Sequence, residues 1–479
     1  MKQSLNPYLP LYEYIPDGEP HVFEGRAYIY GSHDVFRAWN FCEGDYVTYS
    51  APTDDLSSWR YEGVIYPRKN DDPLSRGGRN VFYAPDVTRG TDGKYYLFYS
   101  YAWSSVISVA VSSSPKGPFV YLGHVHYKDG QEYGMRKKDP FAFDPAIFVD
   151  DDGRIYLYSG FGALKFFPQI PVGHHPEGGF AMELEKDMLT IKGEPKKIMD
   201  LPGKDPDIEK GHGFFEASSM RKINGIYYFV YSSLNGHELC YATSSSPMGP
   251  FKYGGVIISN GDVGYHGRKE KDAIYPLGNN HGGILMVGDD HYIFYHRHTN
   301  YTNTDRQAMA EKIRILPDGS VPQVEKTSMG PCGIPLGKGT YRSSICSTLV
   351  PKGGNVFYPY IRPPFFSLSK TYISQKEKSG IRKESQYIHN VKDDTLIGYK
   401  YFNLVGCKRI TLSAEGRFSG YVLFSTDEEE KNPIRVPVVL KKGKKSQIVI
   451  PLGKTGSKDG LFFRFCGKGH FDFDTFMVE

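Results

Sequence analysis

The sequence predicts an all-β chain: a five-bladed β-propeller over residues 1–325, then a β-sandwich of jelly-roll type over 326–479. Three observations carry this reading. The chain is rich in Tyr (37), Phe (30), Gly (53) and Pro (32), a mixture suited to short strands and frequent turns. A strand–turn–strand pattern recurs five times in the first 300 residues or so. The last 140 residues or so show alternating apolar and polar stretches without that pattern. The same composition excludes a collagen, a coiled coil and a disordered chain.

The repeat has a polar head, an apolar strand, a tight turn and an aromatic strand. Its copies are EPHVFEGRAYIYGS (19–32), APDVTRGTDGKYYLFYS (84–100), DPAIFVDDDGRIYLYSG (144–160), EASSMRKINGIYYFVYSS (216–233) and HGGILMVGDDHYIFYH (281–296). The turns are Glu24-Gly25, Asp92-Gly93, Asp152-Gly153, Asn224-Gly225 and Gly288-Asp289, residue pairs that tolerate the positive φ of hairpin turns. A second echo, AVSSSPKGPF (110–119) and ATSSSPMGPF (242–251), is offset by 132 residues, the offset that also separates Ala84 from Glu216. Units of about 65 residues with four strands each are propeller blades. The first strand of each blade then lines a central channel, and Glu19, Ala84–Asp86, Asp144, Glu216 and His281 converge at one end of it.

Net charge is +4, but residues from Tyr341 onward hold 23 Lys and Arg against 13 Asp and Glu. Runs such as KKGKK (441–445) read as turns between strands and match no nucleic-acid motif, so no nucleic-acid partner is expected. No apolar run approaches the roughly 20 residues that cross a bilayer, and no membrane partner is expected. The N-terminus has no apolar signal region, and the six cysteines are scattered without metal-ligand spacing. Free thiols and a cytoplasmic location are therefore expected. The sequence does not speak to oligomeric state.

Carboxylates converging from several blades suit glycosidic bond hydrolysis. One carboxyl group donates a proton to the leaving oxygen and another activates water, about 6.5–9.5 Å away in an inverting enzyme. A third can raise the proton affinity of the acid. At this point the residues resemble glycoside hydrolase family 43, over residues 6 to about 320. FDPAIFVDDDGRIYLY and FFEASSMRKINGIYYFVYSS carry the resemblance, with YGSHD (30–34), TDDLSSW (53–59) and LGNNHGGI (277–284) in support.

The resemblance implies an inverting, exo-acting hydrolase that removes terminal arabinofuranosyl or xylosyl units, with an oligosaccharide as its partner. It gives Glu216 the role of general acid and Asp144 that of orienting carboxylate. The family's first-blade Asp-Pro is Glu19-Pro20 here, which puts Glu19 at the general-base position and leaves Asp17 as the alternative or a substrate contact. His281 is implied either as a calcium ligand or as a neutral channel histidine; no cofactor is needed for the chemistry. Arg306 is implied as a sugar contact, against a surface ion pair. Among the three Trp, Trp103 is the expected stacking residue; Trp39 also follows an inner strand, and Trp59 reads as blade packing. A β-galactofuranosidase of the same fold, a non-catalytic sugar-binding propeller and a protein-interaction propeller are the alternatives. Retention of acids at all three positions disfavours the second, and the lack of WD or kelch patterns the third. The C-terminal module resembles a carbohydrate-binding module, but it has no Trp and reads as an accessory domain packed on the propeller.

Overall fold

The computed structural model describes residues 5–162, 176–201, 208, 211–302, 304–335, 337–355 and 370–479. Five antiparallel sheets are arranged around a channel. The first blade holds β1 (Glu19–Phe23), β2 (Arg26–Tyr30), β3 (Tyr46–Pro52) and β4 (Arg60–Tyr66). The second holds β5 (Phe82–Arg89), β6 (Tyr95–Tyr101), β7 (Ile107–Ser112) and β8 (Val120–His124). The third holds β9 (Ala146–Val149), β10 (Ile155–Phe161), β11 (Gly178–Leu184) and β12 (Ile191–Met199). The fourth holds β13 (Phe214–Ile223), β14 (Ile226–Ser233), β15 (Glu238–Ser244) and β16 (Lys252–Ser259). The fifth has three strands, β17 (Ile284–Val287), β18 (Asp290–His298) and β19 (Arg306–Ile313).

The turn residues do what their chemistry allows. Glu24-Gly25 and Asn224-Gly225 both adopt positive φ and close two-residue hairpins, with Phe23 opposite Arg26 and Ile223 opposite Ile226. The repeated SSSPxGPF segments have a shared purpose. The Tyr30 hydroxyl donates to the Pro115 carbonyl at 2.6 Å, and the Tyr158 hydroxyl to the Pro247 carbonyl at 2.9 Å. Each segment thus receives a tyrosine from the preceding blade, which accounts for the 132-residue echo.

The ring closes between the first and last blades. Gly18 bridges Gly282 in parallel. Upstream, the Asn6 side chain takes the Ala310 N–H at 3.0 Å and gives its own N–H to the Ala310 carbonyl at 2.9 Å. It thereby occupies the open edge of β19, where a fourth strand would pair. Tyr8, Leu9 and Ile15 bury themselves against Leu285, Phe294, Ala308 and Ala310, so apolar burial locks the closure as well.

Beyond β19, residues 314–338 lead to the second module. Its strands are β20 (Gly339–Arg342), β21 (Thr348–Val350), β22 (Tyr372–Gln375), β23 (Gln386–Val391), β24 (Thr395–Phe402), β25 (Arg409–Ser425), β26 (Ile434–Leu440), β27 (Lys445–Pro451) and β28 (Asp459–Val478). The long β25 and β28 pair along their length and curl the sheet into a sandwich around Tyr399, Phe402, Phe418, Phe463, Phe473 and Phe476. At the bend, a Cβ on Gly469 (φ 102°) would lie 2.1 Å from the Arg417 carbonyl oxygen, so only glycine fits.

The modules share a polar, buried seam. Arg297 donates to the Ser344 and Cys346 carbonyls at 2.7 and 3.0 Å. Ile373 N–H donates to the Thr299 carbonyl at 2.8 Å, and Tyr14 joins Gln375 and Gln386. Lys400, 1% exposed, pairs with buried Asp262 at 3.1 Å and with Glu325 at 3.2 Å. Removing one member of a buried pair strands the other's charge. Lys400→Met is expected to cost about 3–5 kcal/mol, read as a fall in denaturation midpoint.

Candidate active site

Four of the five blades deliver a chemically active side chain to one end of the channel, and the backbone there departs from regular strand. Asp17 lies just before β1 with φ 56°, Asp144 just before β9 with φ 45°, and Ala217, next to Glu216 in β13, has φ 69°. Register shifts flank Glu216 on both sides in its pairing with β14. Left-handed non-glycine residues cost about 1–3 kcal/mol each and persist where surrounding structure over-determines them. Here bulges and kinks turn the side chains into the channel.

Arg306, at the start of β19, is the centre of the site and is buried. Its Nη1 donates to Asp17 at 3.0 Å (Oδ1) and 3.3 Å (Oδ2). Its Nε and Nη2 form a fork with Asp34, both at 2.9 Å, and Nη2 also donates to Cys42 Sγ at 3.2 Å. The guanidinium lies over the Phe41 ring, 4.6 Å from its centroid. On the other side of Asp17, its backbone N–H donates to His296 Nδ1 at 3.2 Å. Asp144 accepts the Ala217 N–H at 3.1 Å, and His281 Nδ1 stands 3.5 Å from it.

Removal from water raises the proton affinity of Glu216, the negative charge of Asp17 adds to it and Arg306 opposes, leaving a pKa of about 8. Asp144 is also raised well above the carboxylate range, first by burial and then by Glu216 and Asp17. Burial has the reverse effect on the histidines. His281 and His298 fall to about 4 and His296 lies well below its ordinary value, so all three are neutral at pH 7. The site therefore holds a protonated carboxyl group, with Asp17 set against the guanidinium.

Glu19, expected at the base position, is seated elsewhere. Its Oε1 is 2.6 Å from Arg221 and accepts the Ser219 hydroxyl at 2.7 Å. Gly283 packs so closely that a Cβ there would fall 2.6 Å from Glu19 Oε2. Burial lifts its pKa to about 7, and the largest charge effects on it come from Arg221, which lowers it, and Asp86, which raises it. Asp17, two residues earlier, is the first-blade carboxylate that meets the other two. Placing Glu19 by its Glu-Pro dipeptide takes the strand to run straight back from its apolar part, whereas the chain turns at Asp17, where φ is 56°.

Arg306 is no surface ion pair. Trp103 follows β6 in a turn (φ 62°) and is half exposed, and Trp39 is exposed. Trp59 packs on Tyr8 at 4.9 Å and on Phe294 at 6.1 Å, inside the blades. Sequence reading missed Asp34, Phe41, Cys42, Tyr83 and Phe143. Tyr83 feels the charges of both Glu216 and Asp144 and meets the Phe143 ring edge-on at 5.6 Å, giving the pocket an apolar wall. Asp34 closes the YGSHD motif, and Tyr83 directly precedes a blade head; these were the available signals.

Residues 24–321 match the model of glycosyl hydrolases family 43. The chain belongs to glycoside hydrolase family 43. It is 46% identical over 441 residues to a xylosidase/arabinosidase of Thermoclostridium stercorarium, covering 91% of each chain. It is 31% identical over 282 residues to a β-xylosidase of Xylanibacter ruminicola, covering 51% of this chain and 80% of the relative. Among solved structures, an arabinoxylan arabinofuranohydrolase from Bacillus subtilis shares the fold over 99% of this chain and 97% of its own (TM-score 0.51, 20% identity). A family 43 enzyme from Xanthomonas citri complexed with xylose covers 66% of this chain and 92% of its own (TM-score 0.52, 25% identity).

Family 43 enzymes are inverting glycosidases, and this chain is a glycoside hydrolase. Inversion is a single displacement that needs an acid, a base and no cofactor. Calcium prefers several oxygen ligands. His281 offers one nitrogen, and among the described residues it belongs to no group of three or more His, Cys, Asp or Glu ligand atoms. No step of the chemistry is assigned to the ion.

The raised proton affinity of Glu216 sets a pH limit. In the acid role that the resemblance implies, Glu216 must be protonated, so kcat/KM is expected to fall as pH rises through about 8. Glu216→Gln is expected to remove this alkaline limb. It should slow substrates with poor leaving groups by about 10²–10⁴-fold and activated aryl glycosides far less; equal losses on both would take Glu216 out of the acid role.

Proposed function

We propose that this protein is an exo-acting hydrolase that releases terminal arabinofuranosyl or xylosyl units from arabinoxylan-type oligosaccharides. Asp17 is its general base, Glu216 its general acid and Asp144 the carboxylate that orients the acid. The observation that carries the reading is the meeting of Asp17, Asp144 and Glu216 around Arg306, in a chain closely similar to a xylosidase/arabinosidase.

In the proposed reaction, the terminal sugar enters the pocket against Tyr83 and Phe143. Glu216 gives its proton to the glycosidic oxygen as that bond breaks. Asp17 accepts a proton from water, whose oxygen bonds to the anomeric carbon from the opposite face. Burial and the charge of Asp17 keep Glu216 protonated until transfer, and Asp144, coupled to Glu216 and held by the Ala217 N–H, orients it. Arg306 stays paired to Asp17 throughout and needs no rearrangement, which suits electrostatic preorganisation.

Two measurements test this reading. Asp17→Ala is expected to lose about 10²–10⁴-fold in turnover on every substrate, including activated ones, with partial rescue by azide or formate. Glu19→Ala is expected to keep turnover on the same substrates to the extent that it folds; the reverse pattern would return the base to Glu19. A nitrophenyl panel is expected to rank the α-L-arabinofuranoside or β-D-xyloside first. Preference for the β-D-galactofuranoside would move the substrate assignment to the activity named for a relative from Aspergillus niger, 27% identical over 337 residues.

A further inference from the structure

Arg306 poses an electrostatic problem. A buried guanidinium next to a general acid favours loss of the acid's proton, the opposite of what the reaction needs. The segment 34–42 answers it. Asp34 is 2% exposed and spends its carboxylate on Arg306, accepting from Nε, Nη2 and the Arg306 backbone N–H (3.1 Å). Asp34 Oδ1 also accepts the Cys42 N–H at 3.0 Å, where the backbone turns left-handed (φ 57°). That turn sets the Cys42 sulfur against Arg306 Nη2 and Phe41 against the guanidinium face. The fork is thus assigned: Nε and Nη2 to this segment, Nη1 to Asp17.

We propose that Asp34 and Cys42 are positioning residues of the hydrolysis. They fix Arg306 so that one arm stands against Asp17, and Asp34 cancels its charge so that Glu216 keeps its proton. This inference rests on Asp17 being the base. Asp17 is faced by Arg306, His296, His281, Asp144 and Glu216. Arg306 is faced in addition by Asp34, Cys42 and His298. The three histidines are neutral, so Asp17 and Asp34 are the carboxylates paired with the guanidinium, and Asp34 is the one that takes no proton in the proposed reaction.

The test compares Asp34→Asn, Asp34→Glu and Asp17→Ala on an aryl glycoside across pH. D34N keeps the shape but loses the charge. Its kcat/KM is expected to fall about 10–100-fold, and its alkaline limb to move down by about half to one pH unit. D34E keeps the charge, so its rate falls while the limb stays in place. The proposal is overturned if D34N stays within about twofold of wild type, or slows with an unmoved limb, as a merely structural residue would. Should D34N fail to fold, Cys42→Ala decides. There kcat is expected to fall about three- to tenfold with KM within about twofold, and an unchanged kcat overturns the proposal. Retained activity in D17A would instead sink the reading of Asp17 as base, whatever D34N does.

Discussion

A single buried cation governs the chemistry of this propeller. Arg306 is held by Asp34, stacked on Phe41 and turned toward Asp17. Against its pull, burial drives Glu216 and Asp144 toward the acid form, and burial with the guanidinium keeps three histidines neutral. The residues involved lie in blades one, three, four and five, so the charge arrangement exists only once the ring has closed.

Closure also explains how the strained backbone is tolerated. Asp17, Asp144 and Ala217 all sit in left-handed conformations at the channel mouth. None would hold that geometry alone. The Gly18–Gly282 bridge, the Asn6 side chain on β19 and the aromatic cores between blades supply the constraint. Local strain at the site is thus balanced by burial spread through the ring.

The blades were legible because their signals are local. Strand periodicity two, Asn-Gly and Asp-Gly turns and a common spacing are written in contiguous residues, and the structure has all five sheets. Asp144 and Glu216 could be singled out since each opens an apolar strand. The first blade was harder: whether Asp17 or Glu19 faces the pocket depends on a turn at Asp17 and Gly18 that no pattern of residue types reports. Asp34 escaped for another reason. Its partner lies 272 residues away, and a pairing at that distance is decided by blade order alone. The seam between the modules was equally hidden, because it is built from backbone carbonyls and isolated side chains such as Arg297 and Lys400.

That seam has a consequence for how such chains can be recombined. The sandwich does not hang from a tether; its β22 backbone takes the Thr299 carbonyl, and Ser344 and Cys346 receive Arg297 from the strand that also carries His296. The wall of the catalytic pocket is therefore backed by the second module. Cutting this chain near residue 325 to graft its propeller onto a foreign partner would expose Arg297 and leave Asp262 without its lysine. In this chain the accessory module is thereby part of the foundations of the active site.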